Sequence, residues 1–276
     1  MRLPVGGEGA RNARAVRGVE QDPIPSEIDM SQRVRIEQGQ KRIRVYLGGE
    51  LIADSTNVKL VWEKPHYPTY FIPEDDVRME LLTPTDHARR SPSRGEARFF
   101  TVKGGKTTAE NAAYHHPDSP IAELPGHVVF VWEAMDAWFE EDEEVFVHAR
   151  DPYTRVDILP SSRHIEVVMG GTTVADSHHP RLLFETGLPT RYYLPKTDVR
   201  MDLLSPTATQ THCPYKGTAG YWSVEVDGEV HEDIVWSYRT PVAESMRIAG
   251  LVSFYNEKVD IYVDGELQDR PQTMFS

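Results

Sequence analysis

The chain has 276 residues, 39% of them hydrophobic and 26% charged, with one cysteine and a formal net charge of −13. That is enough material for one large or two modest globular domains. The negative charge opposes nucleic-acid backbones and anionic membrane surfaces as partners, and a lone cysteine excludes an internal disulfide and points to a reducing, cytoplasmic setting.

The N-terminal stretch MRLPVGGEGARNARAVRGVEQDP is rich in Gly, Arg and Pro. No hydrophobic run follows its arginines, so it lacks the pattern of a secretory signal, and residues 1–38 read as a mobile tail. No apolar run approaches the length that spans a bilayer.

From residue 39 the chain reads as β. Ile43, Val45 and Leu47 alternate with Arg44 and Tyr46, and Gly48-Gly49 supplies the positive φ of a two-residue hairpin turn. The segment DVRMELL (76–82) alternates with period two between Pro73 and Pro84, which predicts a strand with an outward Asp-Arg-Glu face. Further Gly-Gly or Asp-Gly turns fall at 104–105, 170–171, 227–228 and 264–265.

The second half repeats the first. VYLGGELIADS (45–55) matches VVMGGTTVADS (167–177), and YFIPEDDVRMELLTPT (70–85) matches YYLPKTDVRMDLLSPT (192–207) without a gap. The match resumes where PGHVVFVWEAMDAW meets AGLVSFYNEKVDIY. Such a duplication predicts two domains, 39–150 and 151–276, each with its own core, forming an internal pseudo-dimer. The polar, proline-punctuated stretch 141–163 contains the linker, and nothing in the sequence fixes the oligomeric state.

GGELIADS, YFIPEDDVRMELL, CPYKGTAGYW and LVSFYNEKVDIYVDGE together resemble the bacterial domain-of-unknown-function 427 family, present here as a tandem pair over roughly residues 40–270. The resemblance implies a small, mainly β domain of coiled antiparallel sheets, similar to the β-tent. The family is sometimes labelled nucleotidyltransferase-like, yet this chain has no Gly-Ser pair ahead of spaced aspartates.

The copies differ most at THCPYKGTAGYW (211–222), where copy one has RRSPSRGEARFF. A turn through Pro214 and Gly217 would gather Cys213, Tyr215 and Lys216, with His212 beside them. Lysine and histidine favour a thiolate and can serve as acid or base, whereas Ser91, Ser93 and Arg94 of copy one cannot. The candidate catalytic residues are therefore Cys213, Lys216, Tyr215 and His212. Arg191, Tyr192, Trp222, Trp236, Tyr238 and Arg239 would line a pocket for a small polar or anionic molecule. A packed cysteine and core aromatics explain the same residues without chemistry.

Asp54, Asp76, Asp176 and Asp198 occur in both copies and read as structural, capping turns or pairing with Arg78 and Arg200. Two HHP triplets sit at non-equivalent positions, and neighbouring histidines on a strand face opposite ways, so no metal site and no cofactor is expected. Three functions stay open: a small-molecule binding module, a cofactor-independent enzyme using Lys216 with Cys213 or Tyr215, and a protein-interaction scaffold.

Overall fold

The computed structural model describes residues 34–63 and 66–276. The expected tail lies outside the described residues as far as residue 33. Its last four residues, Arg35–Gln38, form a strand instead, so the first copy begins earlier than its polarity suggests.

Copy one contains β1 (Arg35–Gln38), β2 (Ile43–Leu47), β3 (Glu50–Ser55), β4 (Lys59–Trp62), β5 (Thr69–Pro73), β6 (Leu82–Ser91), β7 (Gly95–Gly104), β8 (Thr107–His115), β9 (His127–Phe130), β10 (Ala137–Glu140) and β11 (Glu143–Glu144). Copy two contains β12 (Val156–Pro160), β13 (Ile165–Met169), β14 (Thr172–Ser177), β15 (Arg181–Glu185), β16 (Arg191–Tyr193), β17 (Leu204–Cys213), β18 (Gly217–Val226), β19 (Glu229–Tyr238), β20 (Val252–Phe254), β21 (Asp260–Val263) and β22 (Glu266–Leu267).

Every strand pairing is antiparallel. Copy one has a long sheet, β1-β4-β5-β9-β8-β7-β6, and a short one, β11-β10-β2-β3. Copy two repeats both. Its long sheet is β12-β15-β16, continued through the single bridge Leu194↔Val252 to β20-β19-β18-β17, and its short sheet is β14-β13-β21-β22. The duplication is thus a duplication of architecture: two mainly β units in tandem.

Side chains alternate across each strand, so the long sheet buries both faces. In copy one Tyr70 and Ile72 point to an inner core shared with the short sheet, together with Val45, Ile52, Val102 and Val128. Phe71, between them, points to an outer cluster with Phe99, Tyr114 and Leu124. In copy two Leu194, Val224 and Val252 face inward, and Tyr193, Tyr221, Trp236 and Ile248 face outward.

The Gly-Gly turns form as expected. Gly48 and Gly49 sit at φ +60 and +74, and Gly170 and Gly171 at +57 and +81, the left-handed pair that suits the twist of a two-residue hairpin.

The segment DVRMELL is a correction. It forms two 3₁₀ turns, Glu74–Asp76 and Met79–Leu81, with an extended Val77 between them that bridges to Ala53. The turns close with Val77 N–H to Glu74 O (3.1 Å) and Leu81 N–H to Arg78 O (2.9 Å). Short alternation demands only that Val77, Met79 and Leu81 reach the core, and single turns satisfy that as well as a strand does.

The aspartate pairing also differs. Asp76 accepts a hydrogen bond from Ser55 and Asp198 from Ser177, both at 2.6 Å, while Arg78 pairs with Glu50 and Glu80 and Arg200 with Asp202. No helix among the described residues is long and apolar enough to cross a membrane.

Candidate functional site

The hairpin between β17 and β18 has the shape that Pro214 and Gly217 dictate. The Lys216 N–H closes the turn on the Cys213 carbonyl at 3.3 Å, and Gly217 sits at φ +96. A Cβ there would also meet the backbone of Thr240 and Val242 at 3.4 Å. The turn is clasped from both sides. Ser245 donates to the Tyr215 carbonyl (2.8 Å), and the Arg150 Nε donates to the Pro214 carbonyl (2.9 Å).

Lys216 points inward, nearly buried, and forms an ion pair with the equally buried Glu185. Copy one has the same pair, Arg94 to Glu63 at 3.1 Å. Near it lie the Cys213 thiol, Tyr193 and Tyr238. Burial, followed by the neighbouring Tyr193 and Cys213, pushes the Tyr238 phenol far above its ordinary range. The Tyr193 phenol is also driven up by burial, although it accepts a hydrogen bond from the Trp236 indole at 3.0 Å.

Tyr215 and His212 belong to a different contact. The Tyr215 hydroxyl accepts the backbone N–H of Asp151 at 2.7 Å, and burial raises its pKa. The His212 ring stacks on Phe146, and its Nδ1 lies 2.8 Å from the Thr218 hydroxyl. Both are docking points for the segment that joins the copies.

The ligand-binding candidates divide between the two faces of the long sheet. Trp236, Tyr238 and Arg191 face outward, where the buried Arg191 holds Glu257 through two bonds of 2.6 Å. Tyr192 and Trp222 pack against the inner core, and the Lys196 ammonium lies 4.8 Å from the Trp222 ring centroid. Arg239 is exposed. Strand alternation therefore prevents Tyr192 and Trp236 from lining one cavity. Tyr192 instead borders a shallow cleft of about 270 Å³ with Thr190, Asn256, Gln268 and Asp269.

Sequence reading missed another cleft, which lies in copy one and is closed by the linker. It encloses about 340 Å³ and is walled by Ile43, Val58, Leu60, Pro152 and the Tyr153 ring. At its floor the carboxylate of Glu140, 4% exposed, accepts a hydrogen bond from Tyr70 (2.5 Å) and faces the Lys41 ammonium (2.5 Å). The Arg150 backbone N–H reaches the same carboxylate at 3.4 Å, and its guanidinium lies 4.0 Å away. Burial first, then the Glu140 charge and hydrogen bond, drive the Tyr70 phenol well above its ordinary value, so it stays protonated and donates.

Lys41 is half exposed and lines the cleft. The linker supplies Arg150, Pro152 and Tyr153, and Tyr153 donates to Glu37 at 2.6 Å. No hydropathy signal marks this site. The site depends on a long-range pairing: Glu140 closes β10 and Lys41 precedes β2, and the antiparallel register of these two strands sets them side by side. Copy two holds the exposed pair Arg163 and Asp264 at the corresponding place, 2.8 Å apart.

Comparison with curated proteins finds no match. A family model described as "Domain of unknown function (DUF427)" matches residues 35–141 and again 157–265. The chain therefore belongs to the DUF427 family, and carries that domain twice.

Proposed function

We propose that the chain binds a small organic molecule carrying an acidic group, and that the seat is the cleft of copy one. The observation that carries this reading is the mixed lining of that cleft: an apolar wall of Ile43, Val58, Leu60 and Pro152 beside a buried, hydrogen-bonded Glu140, with the half-exposed ammonium of Lys41 paired to it. Pockets for small ligands have this makeup, a mostly apolar body with a few convergent polar groups. Tyr70 and the Arg150 N–H hold Oε1 of Glu140 while Lys41 holds Oε2, so Lys41 can turn to a ligand carboxylate when the ligand offers Oε2 a donor in exchange. A ligand donor can then take the oxygen that Lys41 releases.

Sequence features alone favour a seat in copy two. An enzymatic reading there would need Lys216 as acid, base or anchor. Its ammonium is already neutralised by Glu185, and copy one repeats the pair with an arginine that cannot act as a base. These facts favour a structural role for the pair. The reducing, cytoplasmic setting is part of this proposal and rests on the single Cys213.

The test is a thermal-shift panel of small carboxylic acids, amines and nucleotides on the full chain, repeated with Lys41→Met and Tyr70→Phe. Ligand at a hundredfold excess over its Kd adds about 2.7 kcal/mol of stability. One class of acid should raise the wild-type melting temperature and lose its effect in both variants. A flat panel, or shifts that survive in both variants, removes the cleft as the seat.

A further inference from the structure

We infer that copy two carries a binding site for a divalent transition-metal ion, formed by His164, Asp176 and His178. The register of the β13–β14 hairpin makes it. Ile165 pairs with Ser177 and Glu166 with Asp176, so His164 and His178 stand opposite each other where the ladder opens. Asp176 lies two residues from His178 along one strand and therefore projects on the same side. The adjacent pair His178-His179 does not supply two ligands, but one histidine just beyond the end of each of two neighbouring strands does.

The geometry is close to what a metal needs. One donor atom from each of the three residues lies within 4.8 Å of the others. His164 Nε2 is 2.8 Å from Asp176 Oδ1, and the imidazoles of His164 and His178 face each other at 4.2 Å. Metal–ligand bonds of about 2.0–2.2 Å set the donors of a tetrahedral site roughly 3.4 Å apart. The two rings stack nearly parallel, 14° apart, so the exposed His178 must rotate about its side-chain torsions to aim a ring nitrogen at a shared ion. The backbone beneath is fixed: the His164 N–H donates to Asp264 (2.9 Å), and the Asp264 N–H donates to the His164 carbonyl (2.8 Å).

The other copy supplies an independent observation. There Arg42 stands in place of His164 and Thr56 in place of His178, and Arg42 grips Asp54 through two hydrogen bonds, the Nε contact at 2.6 Å. Copy one meets its aspartate with a fixed cation of its own. Copy two sets two imidazoles beside the equivalent aspartate instead, side chains that can ligate a metal where an arginine cannot. Two imidazoles and one carboxylate select zinc, nickel or copper over magnesium or calcium. Three protein donors leave at least one position for water or a ligand atom.

Calorimetric titration of the full chain with Zn²⁺ tests this, on the wild type, His164→Ala, His178→Ala, Asp176→Asn, His164→Arg and the neighbouring His179→Ala. His164→Arg reproduces the copy-one pairing and so preserves the strand end, which separates loss of metal from loss of fold. One equivalent of Zn²⁺ should bind the wild type and His179→Ala alike. Each of the other four should weaken it roughly tenfold or more, with Mg²⁺ giving no heat. Absence of a one-equivalent site in the wild type, undiminished affinity in His164→Arg, or a loss in His179→Ala equal to that in His178→Ala would overturn the assignment.

Discussion

The hydroxyl of Tyr215, in copy two, accepts the backbone N–H of Asp151, in the linker, at 2.7 Å. The same Asp151 takes the indole N–H of Trp62, in copy one, on its carboxylate at 3.0 Å. One linker residue is thus bonded to both copies. His148 stacks on Tyr67 and sits beside Tyr215, and Arg150 bonds to Pro214, so the segment acts as a strap rather than a tether. Tyr215→Phe leaves a part-buried N–H without its acceptor and should cost about 1–2 kcal/mol in urea unfolding. An unchanged midpoint would show that the strap carries no load.

Lys216 and Glu185 are both nearly buried, so removing one exposes the other to an uncompensated burial cost. Lys216→Met should destabilise by about 3–5 kcal/mol, and adding Glu185→Leu should recover most of it. The double mutant measured by chemical denaturation decides between a structural pair and a site: thiol reactivity at Cys213 that collapses with Lys216→Met in a still-folded protein would restore the chemical reading.

The two copies give an internal control on turn packing. A Cβ on Gly48 would lie 2.0 Å from the Gly104 carbonyl oxygen, whereas one on Gly170 meets nothing nearer than 3.5 Å. Both glycines have left-handed φ, so Gly170→Ala should cost about 1–2 kcal/mol from strain alone. Gly48→Ala carries a backbone clash as well and should exceed it by roughly 2 kcal/mol. Equal losses, measured by urea denaturation, would contradict the close approach of the two hairpins in copy one.

His116 is 1% exposed and neither ring nitrogen has a well-formed hydrogen bond. Burial first, then the nearby Arg94 charge, lower its pKa to about 4, with the Glu96 backbone a partial offset. Because the folded value lies below the ordinary 6.5, the neutral ring is favoured on folding. Its contribution is complete above about pH 6.5 and is lost as pH falls towards 4, a loss of about 2–3 kcal/mol. His116→Phe should flatten that part of the stability profile relative to wild type. Parallel profiles would place the titrating group elsewhere.

The architecture was open to reading because duplicated motifs and Gly-Gly turns are local signals. GGELIADS and GGTTVADS set the hairpins, and the alternation at Ile43, Val45 and Leu47 sets the buried face. DVRMELL misled because period two over so few residues also suits paired 3₁₀ turns. The sites were harder because they depend on which strands become neighbours. Nothing near Glu140 announces Lys41, ninety-nine positions away, and nothing near His178 announces His164. The contrast between copies, Cys-Pro-Tyr-Lys against Ser-Pro-Ser-Arg, was visible, but such a contrast suits a docking turn for the linker as well as it suits a chemical turn, and the contacts present are docking contacts.

The most direct test of the ligand seat is chemical-shift mapping by NMR while a pool of small carboxylic acids is added to the isotope-labelled full chain. Perturbations gathered on Lys41, Tyr70, Glu140 and Tyr153 are the predicted result. Perturbations centred on Cys213, Lys216 and Trp236, with the copy-one cleft silent, would contradict it.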